Sequence, residues 1–142
     1  LGDAELAGTP TFVTNAVKHF RWKPVRGGKR RIHEKPTAAQ ATACRPWLAA
    51  ELQAVAPSVL VALGATAAGS LFGPSFRLTQ VRGEPLTWPP SAGPFAADDT
   101  AVDVAFATIH PSAVLRAPSA ERAAAYDGFV ADLRAVAQAM PS

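Results

Sequence analysis

The chain has 142 residues, of which 49% are hydrophobic and 18% are charged, and its formal net charge at pH 7 is +3. This composition predicts one globular domain over residues 1–142 and excludes an intrinsically disordered chain. No apolar run reaches about eighteen residues, so no membrane span is predicted. The single cysteine, Cys44, excludes an internal disulfide and suits a reducing compartment.

The first predicted core element is a buried strand at residues 11–17, a stretch rich in β-branched and apolar side chains. Asn15 is unusual within it, because strands disfavour asparagine and a buried amide needs hydrogen-bond partners. Asn15 either ends the strand and bonds the backbone, or presents its amide at the carboxyl end of the strand. Ligands of open α/β sheets bind at that end.

A strongly cationic segment follows. Eight of the fourteen Lys and Arg residues lie between Lys18 and Lys35, against one of the eleven acids, Glu34. The segment therefore carries +7 and the rest of the chain −4. A solvated linker is one interpretation. A phosphate-binding surface for nucleic acid is the other, and it is favoured because the segment separates two predicted core elements.

Within this segment, residues 26–34 combine two glycines with three consecutive cations and a histidine: Lys29, Arg30, Arg31 and His33. Phe20 and Trp22 alternate with cations just before it. Aromatic rings in such a setting either stack on bases or attach the loop to the core.

The next element is a helix. Thr37 and Gln40 form a predicted capping box, which starts a helix that runs to about Val55 and is kinked or broken at Pro46. Cys44 recurs with two leucines at a spacing of four and marks the buried face. From the residues alone, Cys44 is a small core side chain.

The remaining elements alternate between strand and helix. They are a strand at 58–63, a helix from Gly64 to about Gly73, an irregular stretch or hairpin at 77–88, a surface loop at 88–99, a strand at 102–108 and a helix at 119–139. This order predicts an α/β fold, a three-layer α/β/α sandwich with a short parallel sheet. Asn15, the cationic loop, Gly64 and His110 would then share the carboxyl edge of the sheet, which is the predicted site.

Three motifs resemble one known family. The stretches Thr14–His19, Ala43–Leu48 and Thr108–Arg116 are similar, in order and spacing, to motifs of the iron–sulfur, family-4-like uracil-DNA glycosylases. The insertion Lys29–His33 is the mark of their UdgX-type branch. The resemblance covers essentially the whole chain, and it implies a bacterial, cytoplasmic, nucleoid-associated and monomeric enzyme that acts on uracil-containing DNA, preferably single-stranded.

The resemblance also implies roles for individual residues. Asn15 would hydrogen-bond the edge of a flipped-out uracil, for which an amide offers a donor and an acceptor. His110 would donate to a uracil carbonyl oxygen and stabilise the departing anion. Ser112 and Arg116 would bind DNA phosphate.

His33 would have the role that distinguishes the branch. After uracil leaves, its imidazole would capture the anomeric carbon of the deoxyribose, giving a stable covalent adduct. Lys29, Arg30 and Arg31 would grip the flanking phosphates and disfavour a fourth positive charge on His33. The alternative is a loop histidine that only touches phosphate.

The resemblance implies a four-iron, four-sulfur cluster as well. Cys44 would be one ligand, and His19 stands where the family has another cluster cysteine. The family's amino-terminal motif and its paired cysteines are not found in the chain. We therefore expect that an amino-terminal segment, with one more strand and helix, belongs to the domain. Without it, these 142 residues are expected to bind no complete cluster and to be poorly active.

Two other functions fit the same residues. One is a conventional glycosylase that turns over, in which His33 only contacts DNA. The other is a non-catalytic module that binds single-stranded DNA through the cationic loop, Phe20 and Trp22. Formation of a covalent adduct would indicate capture by His33, and turnover without an adduct would indicate the conventional glycosylase. Indifference to uracil, with affinity that falls steeply as salt rises, would indicate the second.

Overall fold

The computed structural model describes residues 1–19, 22–24, 27 and 31–141, with the backbone alone at 23, 24 and 31–33. A short 3₁₀ helix spans Gly2–Ala4. The strands are β1 Trp22–Pro24, β2 Arg31–His33, β3 Val59–Leu63 and β4 Val104–Thr108. The helices are α1 Ala38–Val55, α2 Ala65–Phe72, α3 Leu78–Val81, α4 Pro111–Arg116 and α5 Arg122–Gln138. None of these helices is long and apolar enough to cross a membrane.

The centre of the fold is the parallel pair β3 and β4, which runs in register from Val59 opposite Val104 to Leu63 opposite Thr108. Leu86 adds an antiparallel bridge to Ala105. Because the amide of Ala105 donates to the Leu86 carbonyl, this bridge lies on the edge of β4 that faces away from β3. The two strands predicted at 58–63 and 102–108 are thereby confirmed.

Helices cover both faces of this sheet. On one face, α1 and α2 pack over alternate strand residues in a cluster made of Leu48, Leu52, Ala62, Ala68, Leu71, Trp88, Phe95, Val102, Ala105 and Ala107. On the other face, α5 and the 3₁₀ turn pack over Phe106 in a cluster completed by Ala4, Leu6, Val130, Leu133 and Val136. The predicted α/β/α layering with a short parallel sheet is confirmed.

Helix α1 begins as predicted. The Thr37 hydroxyl accepts the Gln40 amide at 3.2 Å, and the Gln40 side chain accepts the Thr37 amide at 2.9 Å. The helix is not broken at Pro46, where the sequence predicted a kink or a break. Buried residues on both sides of Pro46 hold the helix to the core as one piece: Cys44, Leu48 and Leu52.

The strand predicted at residues 11–17 is wrong. No helix or strand is assigned between residues 9 and 19. Phe12 is 58% exposed and Val13 is 80% exposed, so the apolar side chains that suggested a buried strand are in contact with solvent. A strand needs a neighbouring strand for its backbone groups, and none of the described strands pairs with this segment.

Two further predictions need correction. The cationic loop is in part a hairpin, since β1 and β2 pair antiparallel with Trp22 opposite His33. The stretch 88–99 is not wholly a surface loop, because Trp88 is 7% exposed and Phe95 is 3% exposed. Their rings lie 5.7 Å apart between centroids and complete the core over α2.

Candidate functional site

The carboxyl ends of β3 and β4 bring Gly64 and His110 into contact. The Gly64 amide donates to the Thr108 carbonyl at 2.7 Å, which extends the ladder by one residue. Gly64 has φ +90, and a Cβ on it would lie 2.9 Å from the Cβ of His110. Glycine therefore allows both the left-handed turn into α2 and the close approach of the two chain segments.

His110 is the N-cap of α4, and its side chain is fixed by hydrogen bonds within that helix. Its Nδ1 accepts the Ser112 amide at 3.1 Å and lies 2.8 Å from the Ser112 hydroxyl. Arg116 donates to the same hydroxyl at 2.9 Å, so the hydroxyl proton points to Nδ1. With Nδ1 as acceptor, the proton of the neutral ring lies on Nε2. His110 is exposed, so this donor faces a ligand or solvent.

Beneath His110 lies a polar contact that the sequence did not predict. Thr108, which is 1% exposed, donates its hydroxyl proton to the Asp132 carboxylate of α5. Arg82 donates to the same carboxylate at 2.8 Å. A Cβ on Gly83 would lie 2.7 Å from Asp132 Oδ1, so the chain passes close beside this carboxylate. Asp132 thus ties the end of β4 to α5 and to the turn at 82–83.

Asn15 lies in the segment without regular structure. Side chains of this segment attach it to α1. Thr14 donates to Glu51 Oε2 at 2.9 Å, and Lys18 Nζ lies 2.5 Å from the same oxygen. The hydrogen bond from Lys18 is the largest influence that lowers the pKa of Glu51, and the Thr14 hydroxyl contributes in the same direction. The Lys18 amide donates to Cys44 Sγ at 3.3 Å.

The Asn15 amide is exposed, and none of the described residues forms a hydrogen bond with it. Its neighbour Ala16 packs against the same core cluster to which Ala62 and Ala107 belong. Those two alanines precede the last residues of β3 and β4. The Asn15 segment therefore lies on the α1 side of the sheet. The structure gives no direct contact between Asn15 and His110 within the described part of the chain.

The cationic residues are described only in part. Arg31 starts β2 and His33 ends it, but their side chains lie outside the described part of the chain. Lys29 and Arg30 lie outside the described residues altogether. The hairpin register pairs His33 with Trp22, which is 41% exposed.

The two expected metal ligands, Cys44 and His19, are connected through Lys18. Cys44 is buried at 1% exposure, and His19 directly follows the residue whose amide contacts its sulfur. His19 is exposed. Within the described ranges, no three His, Cys, Asp or Glu side chains are grouped as a metal site.

Glu51 and Asp132 are the site-supporting residues that sequence reasoning missed. Each contacts residues far away in the chain: Glu51 is 37 positions from Thr14, and Asp132 is 24 positions from Thr108. A local signal existed only for Glu51, which directly precedes buried Leu52 and so borders the apolar face of α1.

Comparison with known proteins gives the family. The sequence profile of the uracil-DNA glycosylase superfamily matches residues 3–134. A type-4 uracil-DNA glycosylase from Thermotoga maritima is 41% identical over 54 residues, which are 37% of this chain and 28% of that relative. The matched stretch is thus little more than a quarter of the relative's length. Because the superfamily profile covers well over half of the chain, the chain belongs to the uracil-DNA glycosylase superfamily.

Proposed function

We propose that the protein excises uracil from DNA and then captures the resulting deoxyribose on His33, as a UdgX-type glycosylase that acts once. The observation that carries the excision step is the orientation of His110. Its Nδ1 accepts from Ser112, so Nε2 is left as an exposed donor. Negative charge develops on the uracil carbonyl oxygens as the base departs, and a fixed donor is worth most where charge develops.

Asn15 supplies recognition on this proposal. Its exposed amide offers a donor and an acceptor, and none of the described side chains occupies either. Uracil presents an N–H donor beside a carbonyl acceptor on its pairing edge, so one carboxamide can bind both. Cytosine presents the reverse pattern and would leave both pairs mismatched.

The capture step follows from the chemistry of the sugar. The bond between uracil N1 and C1′ breaks, and its electron pair leaves with uracil. The electron-poor C1′ then accepts a lone pair from the imidazole of His33, and the ring releases its N–H proton to solvent. The support is the insertion Lys29–His33, whose last three residues form β2.

DNA binding is assigned to four cations: Lys29, Arg30, Arg31 and Arg116. The guanidinium of Arg116 has five donors, of which one contacts Ser112, so others remain for phosphate. Ser112 would then act through the histidine and Arg116 as well as on phosphate. A flipped base is reached most easily in a single strand, and single-stranded DNA is therefore the proposed substrate.

For an iron–sulfur cluster, Cys44 is the one ligand that we propose. A backbone amide that donates to its sulfur suits a thiolate ligand, and exposed His19 is the next residue along. Four ligands are needed, the chain contains one cysteine, and the described residues group no third ligand. The residues present do not fit a complete cluster site, and no reaction step is assigned to it. Iron content that is lost in Cys44→Ser would support Cys44 as a ligand.

The test uses protein expressed from the complete gene, mixed with a uracil-containing single-stranded oligonucleotide and run on a denaturing gel. The expected result is a shifted band that survives heat and detergent, and that disappears in His33→Ser. Lys35→Ser, two positions along the chain, is the matched control and should keep the band.

The other outcomes identify the alternatives. Free uracil without a shifted band from the unsubstituted protein would indicate a conventional glycosylase that turns over. Neither product, but binding that weakens steeply with salt and ignores uracil, would indicate a single-strand-binding module.

A further inference from the structure

We propose that Glu51 is a positioning residue that holds the Asn15 amide in place and so sets the rate and selectivity of uracil excision. The inference rests on the proposed function, because it assigns the support for a recognition residue of that same site. Glu51 itself lies on α1 and is not required to touch DNA.

The geometry is a closed ring of hydrogen bonds among three side chains, those of Thr14, Lys18 and Glu51. Glu51 Oε2 accepts from the Thr14 hydroxyl at 2.9 Å and from Lys18 Nζ at 2.5 Å. Lys18 Nζ also donates to the Thr14 hydroxyl at 2.9 Å. Thr14 and Lys18 lie on either side of Asn15 in sequence, so one carboxylate oxygen holds both ends of the short stretch that carries the amide.

This stretch has little else to fix it. It belongs to no helix or strand, and its apolar side chains Phe12 and Val13 are exposed. The remaining attachments found in the described chain are the packing of Ala16 on the core and the bond from the Lys18 amide to Cys44 Sγ. Both lie after Asn15. Among the described residues outside this stretch, only Glu51 hydrogen-bonds Thr14, so it provides the attachment on the preceding side.

The position of the Asn15 amide matters because the orientation of its oxygen and NH₂ group determines which base it can bind. A carboxamide bound to uracil directs its oxygen to an N–H and its NH₂ to a carbonyl, and cytosine fits only after a half-turn. Misplacement of a positioning group by about 1 Å can lower a rate about a hundredfold. A mobile Asn15 should therefore slow uracil excision and narrow the preference for uracil over cytosine.

A purely structural role predicts a different pattern. Glu51 and Lys18 are 32% and 23% exposed at their side chains, and ion pairs at such positions typically contribute little to stability. Loss of Glu51 should therefore leave the midpoint of unfolding nearly unchanged. An effect on excision that far exceeds the effect on unfolding would separate positioning from stabilisation.

The experiment compares Glu51→Ala and Glu51→Gln with Gln53→Ala, an exposed control on the same helix. Single-turnover excision is measured on oligonucleotides with uracil or cytosine at the target position. For Glu51→Ala we expect a rate at saturation that is about tenfold lower or more, with DNA affinity within about twofold, since phosphate contacts dominate binding. Glu51→Gln, which keeps an acceptor oxygen, should recover part of the rate.

A second measurement does not depend on activity. Hydrogen–deuterium exchange at the Lys18 amide, which donates to Cys44 Sγ, should be faster by about tenfold in Glu51→Ala and unchanged in Gln53→Ala. Unsubstituted protein that neither releases uracil nor forms a covalent adduct with the DNA would overturn the proposed function, while the exchange result would still test the attachment. Glu51→Ala with normal exchange, or with normal rate and selectivity in active protein, would overturn the role of Glu51.

Discussion

The two halves of the candidate site are held in place by different means. His110 follows a buried parallel strand, caps its own helix and contacts the backbone of Gly64, so its position is fixed mainly by main-chain structure. Asn15 lies in a segment without regular structure, and a carboxylate from a distant helix holds it. The histidine side should therefore be sensitive to backbone changes, and the asparagine side to the loss of single polar side chains.

The largest expected effect is on the excision rate, when His110 itself is replaced. His110→Ala removes the donor for the departing uracil, and the excision rate should fall by about 10²–10³-fold. Single-turnover assays measure it, with Ser112→Ala as the control, which removes one of two donors to Nδ1 and should lower the rate far less. An equal loss in both variants would contradict the assignment of the main effect to the His110 donor.

Gly64→Ala tests whether backbone contact positions His110. The new Cβ would lie 2.9 Å from the His110 Cβ at a positive φ, so we expect destabilisation of about 1–3 kcal/mol and slower excision. Gly69→Ala in α2 is the matched control. A Cβ there meets nothing within 4 Å, and alanine should stabilise the helix by about 1 kcal/mol. Urea unfolding of both variants gives the answer, and a neutral Gly64→Ala would contradict the proposed close contact.

Asp132→Asn addresses the carboxylate beneath the histidine side. It weakens the bonds from Thr108 and Arg82 and leaves a partly buried guanidinium without its counter-charge, at a cost of about 1–3 kcal/mol. Asp127→Asn, at an exposed position of the same helix, should be close to neutral. If the excision rate falls no more than the loss of folded protein accounts for, Asp132 only anchors α5.

The smallest effect is the pH dependence at the asparagine side. Lys18 lowers the pKa of Glu51 from its ordinary value of 4.5, so the folded state favours the carboxylate. This stabilisation is present above the ordinary pKa and is lost as the pH falls through the lowered pKa of the folded protein. The unfolding free energy of unsubstituted protein minus that of Glu51→Gln should be small and positive near about pH 7 and should disappear as the pH falls through the lowered pKa of Glu51. A difference that persists in acid would rule out the charge as its source.

The sequence alone determined α1, β3, α2, β4 and α5, because these elements carry their own periodicity and caps. Helix α3 was not predicted, since it lies in the stretch 77–88 that was expected to be irregular or a hairpin. The capping box of α1 and the apolar runs of β3 and β4 are local signals, and each formed as predicted. The layered α/β/α fold follows from that order. The placement of Gly64 beside His110 follows as well, since parallel strands end at one edge of the sheet.

Tertiary structure decided the features that depend on distant partners. Residues 11–17 have the composition of a strand but no described strand beside them, so Phe12 and Val13 remain exposed. Trp88 directly precedes two prolines, which are typical of a loop, and it is nevertheless buried with its ring beside those of Phe72 and Phe95. Glu51 and Asp132 read as surface acids in sequence and became supports of the site only when folding brought Thr14, Lys18, Arg82 and Thr108 to them. Local pattern sets which elements form, whereas the polar contacts between those elements arise only from their packing.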